Sequence, residues 1–127
     1  MRLPLAIAST LTLALVGTAQ AEEQDARIAD VQIKRDSPDQ PGIYHIRVTI
    51  EHEDTGWDDY VEAWEIYDPD GKVIGVRPFF EPELERLKTV SALAGVVIPE
   101  DIKTVTIRAR TYPKGFEGAP IEVSVPH

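Results

Sequence analysis

From Ile43 to His52 the side chains alternate without a break. Tyr44, Ile46, Val48 and Ile50 fall on one side of an extended chain, and His45, Arg47, Thr49 and Glu51 on the other. A period of two is the signature of a strand with one face in a core and one in water. A helix would scatter the same residues around its axis. The segment is therefore committed to a half-buried antiparallel sheet.

Similar runs recur along the chain with turn signals between them. Ala26 to Arg35 places Ala29, Val31 and Ile33 on one face, and Ser37-Pro38-Asp39-Gln40-Pro41-Gly42 closes it with turn formers. Tyr60 to Tyr67 sets Trp64 and Ile66 against Glu65, and Asp68-Pro69-Asp70-Gly71 turns the chain into a short return strand, Lys72 to Arg77. Pro78 and Pro82 exclude a central strand from the next segment, where Glu83 to Leu87 has room for one helical turn. Thr89 to Ile98 and Lys103 to Thr111 are the fifth and sixth strands, the latter with Val105, Ile107 and Ala109 inward. After the loop Tyr112 to Gly118, Pro120 to Val125 is the last. Seven short strands at near-regular spacing predict an all-β sandwich of two sheets, with a small barrel as the other closure.

The first 21 residues read differently. Met1-Arg2 precedes an apolar run from Leu3 to Val16 and a small-residue exit, Ala19-Gln20-Ala21, the layout of a secretory signal peptide cleaved after Ala21. The apolar run is shorter than the roughly 20 residues of a spanning helix, and no other segment approaches that length. Residues 1–21 are thus expected to be a leader and residues 22–127 one domain, periplasmic or secreted.

Composition narrows the chemistry. The chain has no cysteine, which removes thiol catalysis, thiolate zinc, iron–sulfur clusters and an acylated lipoprotein anchor. An exported domain without disulfides draws its stability from packing, and a bacterial envelope is the expected setting. Its single methionine is Met1, so no thioether copper site survives processing. Loss of Arg2 takes the formal net charge from −9 to −10. Such acidity repels phosphate backbones, so nucleic acid is excluded as a partner, and it favours solubility or a cationic ligand.

Two resemblances add to this. Val90-Ser-Ala-Leu-Ala-Gly-Val-Val-Ile-Pro99, a short turn and Val105-Thr-Ile-Arg-Ala-Arg-Thr111 resemble the E and F strands of fibronectin-type-III-like and other immunoglobulin-like sandwiches, where a core tryptophan such as Trp64 is common on strand C. His52-Glu53-Asp54-Thr55-Gly56-Trp57-Asp58-Asp59-Tyr60 with Trp64, Asp70 to Arg77 and Leu93 to Pro99 looks like a small family of uncharacterised exported bacterial proteins with an H-x-x-T-G-W-D-x-Y-x3-W motif. In that family histidines often stand where Asp59, Glu81 and Glu83 stand here. The resemblance implies export and a sandwich, and carries no activity.

The candidate sites lie on two segments. Asp54, Asp58 and Asp59, with Gly56 between them, are three carboxylates on one loop, a set suited to a hard cation although not in EF-hand spacing; solvated carboxylates, with Asp54 capping a turn, are the plainer reading. Trp57 in that loop either folds over the end of the core or stands exposed as a contact residue, and its accessible area decides. His52 ends the inward face of its strand. It is a hydrogen-bonded structural histidine or, with Asp59, Glu81 and Glu83, part of a His/carboxylate metal set. His45 faces solvent, and His127 is a terminal residue expected to be mobile. Glu81, Glu83 and Glu85 form an acidic run suited to solvent or to a basic segment.

No Gly-x-Ser-x-Gly elbow, phosphate-cradling loop or HExxH is present, so no enzyme is predicted and no cofactor is required. The expected function is that of a small non-catalytic binding domain whose surface is one end of the sandwich: Asp54, Trp57, Asp58, Asp59, Glu81 and Glu83, facing a protein or small ligand. A metal-binding envelope protein using His52 is the alternative.

Overall fold

The computed structural model describes residues 25–116 and 118–127. The expected leader lies outside the described residues. The chain forms β1 (Arg27–Arg35), β2 (Ile43–Glu51), β3 (Tyr60–Tyr67), β4 (Val73–Pro78), β5 (Lys88–Val97), β6 (Thr104–Tyr112) and β7 (Ile121–Ser124). They make two antiparallel sheets, β1-β2-β5 and β4-β3-β6-β7, a β-sandwich and not a closed barrel. None of the described residues is helical, and none of them belongs to a helix long and apolar enough to cross a membrane. The turn expected over Glu83 to Leu87 stays a turn, with Glu85 in the left-handed region at φ 65°.

The alternation of β2 and β6 supplies the interior. Tyr44, Ile46, Val48 and Ile50 from one sheet meet Trp64, Ile66, Val105 and Ile107 from the other, all buried. Trp64 is fully enclosed, and its indole N–H donates to the Ser91 hydroxyl of the opposite sheet at 2.8 Å. That bond gives a buried donor its partner and fixes how the sheets face. At the β4–β5 side Arg77 Nε donates to the Ala92 carbonyl at 3.1 Å, closing the seam between the two edge strands.

Four bulges adjust the register, one of them at Ile74 of β4, between Gly75 opposite Ile66 and Val73 opposite Tyr67. Ile28 pairs with Ile50 and Asp30 with Thr49, which leaves Ala29 unpaired and exposed. The simple alternation put Ala29 inside; the bulge gives that place to Ile28, while Val31 and Ile33 stay on the inner face, half-buried. Glu62 is the extra residue of β3, between Val61 opposite Thr111 and Ala63 opposite Arg110. In β5, Ala94 and Gly95 oppose a single residue of β2. Gly95 takes φ 72°, the left-handed conformation such a bulge asks of glycine, and its N–H donates to Asp36 at 3.0 Å.

The outward faces are structured too. Across the first sheet Arg27, Glu51 and Lys88 stand side by side; Arg27 binds Glu51 through two nitrogens, with Lys88 Nζ 3.6 Å from the same carboxylate. The hydrogen bonds and charge of Arg27 hold the Glu51 carboxyl below the usual carboxylate range. On the second sheet the β6–β7 loop folds back, so that the Arg108 guanidinium lies 4.7 Å from the Phe116 ring centroid. Beneath it Tyr67 donates to Glu65 at 2.9 Å and Arg110 to the other Glu65 oxygen at 3.3 Å. Glu65, expected to face water, is therefore only 8% exposed.

Two measurements check this frame. Ser91→Ala leaves the Trp64 N–H buried without an acceptor and should cost about 1–3 kcal/mol in urea unfolding. Burial first, then the hydrogen bond to Glu65 and its charge, push the Tyr67 hydroxyl above its ordinary ionisation range. The stabilisation is therefore complete below the range of an unfolded tyrosine and fades as pH climbs through the folded value. Tyr67→Phe should flatten the alkaline fall of the melting temperature, while leaving its acid side unchanged.

Candidate functional site

Antiparallel pairing brings the β2–β3, β4–β5 and β6–β7 loops to one end of the sandwich. The His52 N–H donates to the Leu87 carbonyl at 3.0 Å, Phe79 N–H to the Glu62 carbonyl at 2.7 Å, and Tyr60 stands opposite Tyr112. The two segments singled out in the sequence are thus neighbours, joined by backbone bonds at both ends of the 78–88 crossing.

Asp54 locks them. Its carboxylate is 4% exposed and accepts from three parts of the chain: His52 Nδ1 donates to Oδ1 at 2.6 Å, the Val61 N–H donates to Oδ1 at 3.2 Å, and the Glu83 N–H donates to Oδ2 at 2.8 Å. A carboxylate only accepts, so the ring proton sits on Nδ1. Asp54 therefore acts as a brace inside the end, turned away from solvent. His52 is as buried as its partner, and its Nε2 lies 3.2 Å from Asp59 Oδ1, which is partly exposed. That second contact becomes an ion pair when the ring carries both protons.

The remaining expected residues divide clearly. Asp58 and Glu81 are exposed and Glu83 is half-buried, tied through its backbone. His52, Asp54 and Asp59 come together; among the described residues no side-chain bond joins Glu81 or Glu83 to them. Among the described residues, no group of three or more His, Asp or Glu is placed to hold a metal ion. Both ring nitrogens of His52 already face carboxylate oxygens, so a cation there would have to displace one of these contacts. The cleft beside them, lined by Ile50, His52, Asp54, Val61, Phe79, Glu83 and Thr89, has about 10 Å³, room for one water at most.

Of the two positions open to it, Trp57 takes the exposed one, at 62%. Its ring meets Tyr60 edge-on at 5.4 Å, and Tyr60 lies 6.1 Å from Tyr112. Phe80, Leu84 and Leu87 on the crossing are also exposed, at 83%, 55% and 66%. Sequence reasoning passed over these three, although the two prolines beside them mark a segment that cannot bury a regular face. The opposite end behaves otherwise. There His127, expected to be mobile, holds its ring in place: Nε2–H donates to the Ile102 carbonyl at 2.6 Å and the neutral ring's Nδ1 accepts from the Tyr44 hydroxyl at 2.8 Å. A wide depression of about 440 Å³ lies beside it, bordered by Pro41, Ile43, Ile98, Pro99 and Glu100.

Asp54→Ala strips acceptors from one imidazole and two backbone amides and should cost on the order of 3 kcal/mol. Hydrogen exchange would report it: the Val61 and Glu83 amides should lose protection ahead of those of β6. Uniform loss across the sandwich would show that Asp54 braces the whole fold and not this end. Compared with known proteins, the sequence matches no family model, no curated protein and no solved structure at a significant level.

Proposed function

We propose that the processed chain is a small exported binding domain of the bacterial envelope that works through the loop end of its sandwich and not by catalysis. The observation that carries this reading is the joint exposure of Trp57, Phe80, Leu84 and Leu87 on loops that are braced from inside by Asp54. Large apolar side chains held rigidly in water are costly to keep unless something covers them, and clustered aromatic anchors are where interfaces concentrate their energy. Loops displayed on a rigid sandwich are a recurrent way to carry recognition. The three-plus-four strand order supports a fibronectin-type-III-like version of the sandwich. The narrow cleft beside His52 supports contact by surface over capture of a small molecule at this end.

A photo-crosslinking residue in place of Trp57 tests the reading in cells. A discrete adduct in the periplasmic fraction, lost when Phe80 is changed to Ser, is the expected result. Trp57→Ala with Phe80→Ser should change unfolding free energy by less than about 1 kcal/mol, since both side chains face water. A large loss of stability would make them structural. Mass spectrometry of the same fraction should find a chain beginning at Glu22; a product retaining Met1 in the cytosol would remove the export half of the proposal.

A further inference from the structure

The loop end combines two properties that together select a partner. Its ring surfaces are angled: Trp57 and Tyr60 meet at 73°, and Tyr60 and Tyr112 at 37°. Its carboxylates are exposed on both loops: Asp58 follows Trp57, and Glu81 and Glu85 each follow an exposed apolar residue, Phe80 and Leu84. The crossing also carries two cations: Arg86 is exposed between Glu85 and Leu87, and Lys88 is drawn to Glu51.

We infer that this end receives a cationic polypeptide segment, with a Lys or Arg side chain against the Trp57–Tyr60 corner and its apolar neighbours on Phe80, Leu84 and Leu87. The inference rests on the binding reading above and narrows it. A cation is attracted to ring faces, and the carboxylates of Asp58 and Asp59 beside the corner add a charge-assisted hydrogen bond to the same group. Apolar residues beside the cation cover the exposed side chains and supply contact area. Charge of opposite sign steers the two together and fixes orientation.

Other occupants fit less well. A sugar chain stacks on rings that share a plane, and these three do not. A membrane could accept the apolar tips, but its anionic headgroups would face the carboxylate rim. A second copy would bring two strongly acidic surfaces into register.

The test uses the processed chain and a synthetic peptide alternating lysine with leucine. Trp57 fluorescence reports contact at the corner, since Trp64 is enclosed and silent to added ligand. The expected result is saturable binding that weakens about tenfold or more between low and high salt. Asp58→Asn and Trp57→Leu should each weaken it about tenfold, read by calorimetry for the tryptophan variant. Asp70→Asn, on the β3–β4 turn at the other end, should leave it unchanged. Equal binding of a glutamate–leucine peptide would overturn the inference. So would salt-insensitive binding, equal loss with Asp70→Asn, or binding to phosphatidylglycerol vesicles in place of the peptide. A cross-linked partner in cells whose contact segment lacks Lys and Arg would sink this inference while leaving the binding reading intact; no adduct at all would remove both.

Discussion

The arrangement of the loop end depends on one carboxylate taken out of water. Burying the charge of Asp54 is unfavourable unless donors replace its lost hydration. Here they come from three places in the chain: the ring two residues away, the amide that opens β3, and the amide of Glu83 on the crossing. Each donor satisfied ties a different piece of backbone to the same point. Loops that would otherwise wander are held at fixed separation without a disulfide. The chain has no cysteine, and a hydrogen-bonded brace of this kind performs locally what a cross-link would.

The two sheets solve the problem of their outer faces differently. The first leaves its ionic row of Arg27, Glu51 and Lys88 open to solvent, where such pairs contribute little. The second is roofed by the β6–β7 loop: Arg108 and Arg110 both lie against the Phe116 ring, and Arg110 also reaches the Glu65 carboxylate. There the same charges work at lower dielectric and lie in a fixed geometry. A sheet of four strands thus carries a third, partial layer, which explains why a glutamate at an outward position is nearly as buried as the core.

Much of the sandwich was legible because alternation is a local property. β2 from Tyr44 to Glu51 and β6 from Thr104 to Arg110 could be read residue by residue, since there each inward position is apolar and each outward one polar. What escaped were features fixed by a distant piece of chain. Ala29 has the right residue type for an inward position, but the ladder with β2 slips there, and a slip belongs to the pair and not to either strand. Asp54 was marked as a loop carboxylate because its key partner is a backbone amide 29 residues ahead, and amides have no signature in sequence. Trp57 was ambiguous for the same reason: with Gly56 and Asp58 as neighbours there is no period to say which way it points. Phe116 was read only as part of a loop, and nothing local announces that this loop folds back onto a sheet. His127 stood in no motif, yet two hydrogen bonds fix its ring.

The described chain enters the sandwich at the same end as the braced loops. Asp25 lies 3.6 Å from Lys114, and a side chain added at Gly118 would strike the Ala26 carbonyl. A reporter or affinity handle fused ahead of Asp25 would hang from the end that displays Trp57, whereas one appended after His127 would depart from the far pole. Handles on the two termini are therefore not interchangeable in this domain.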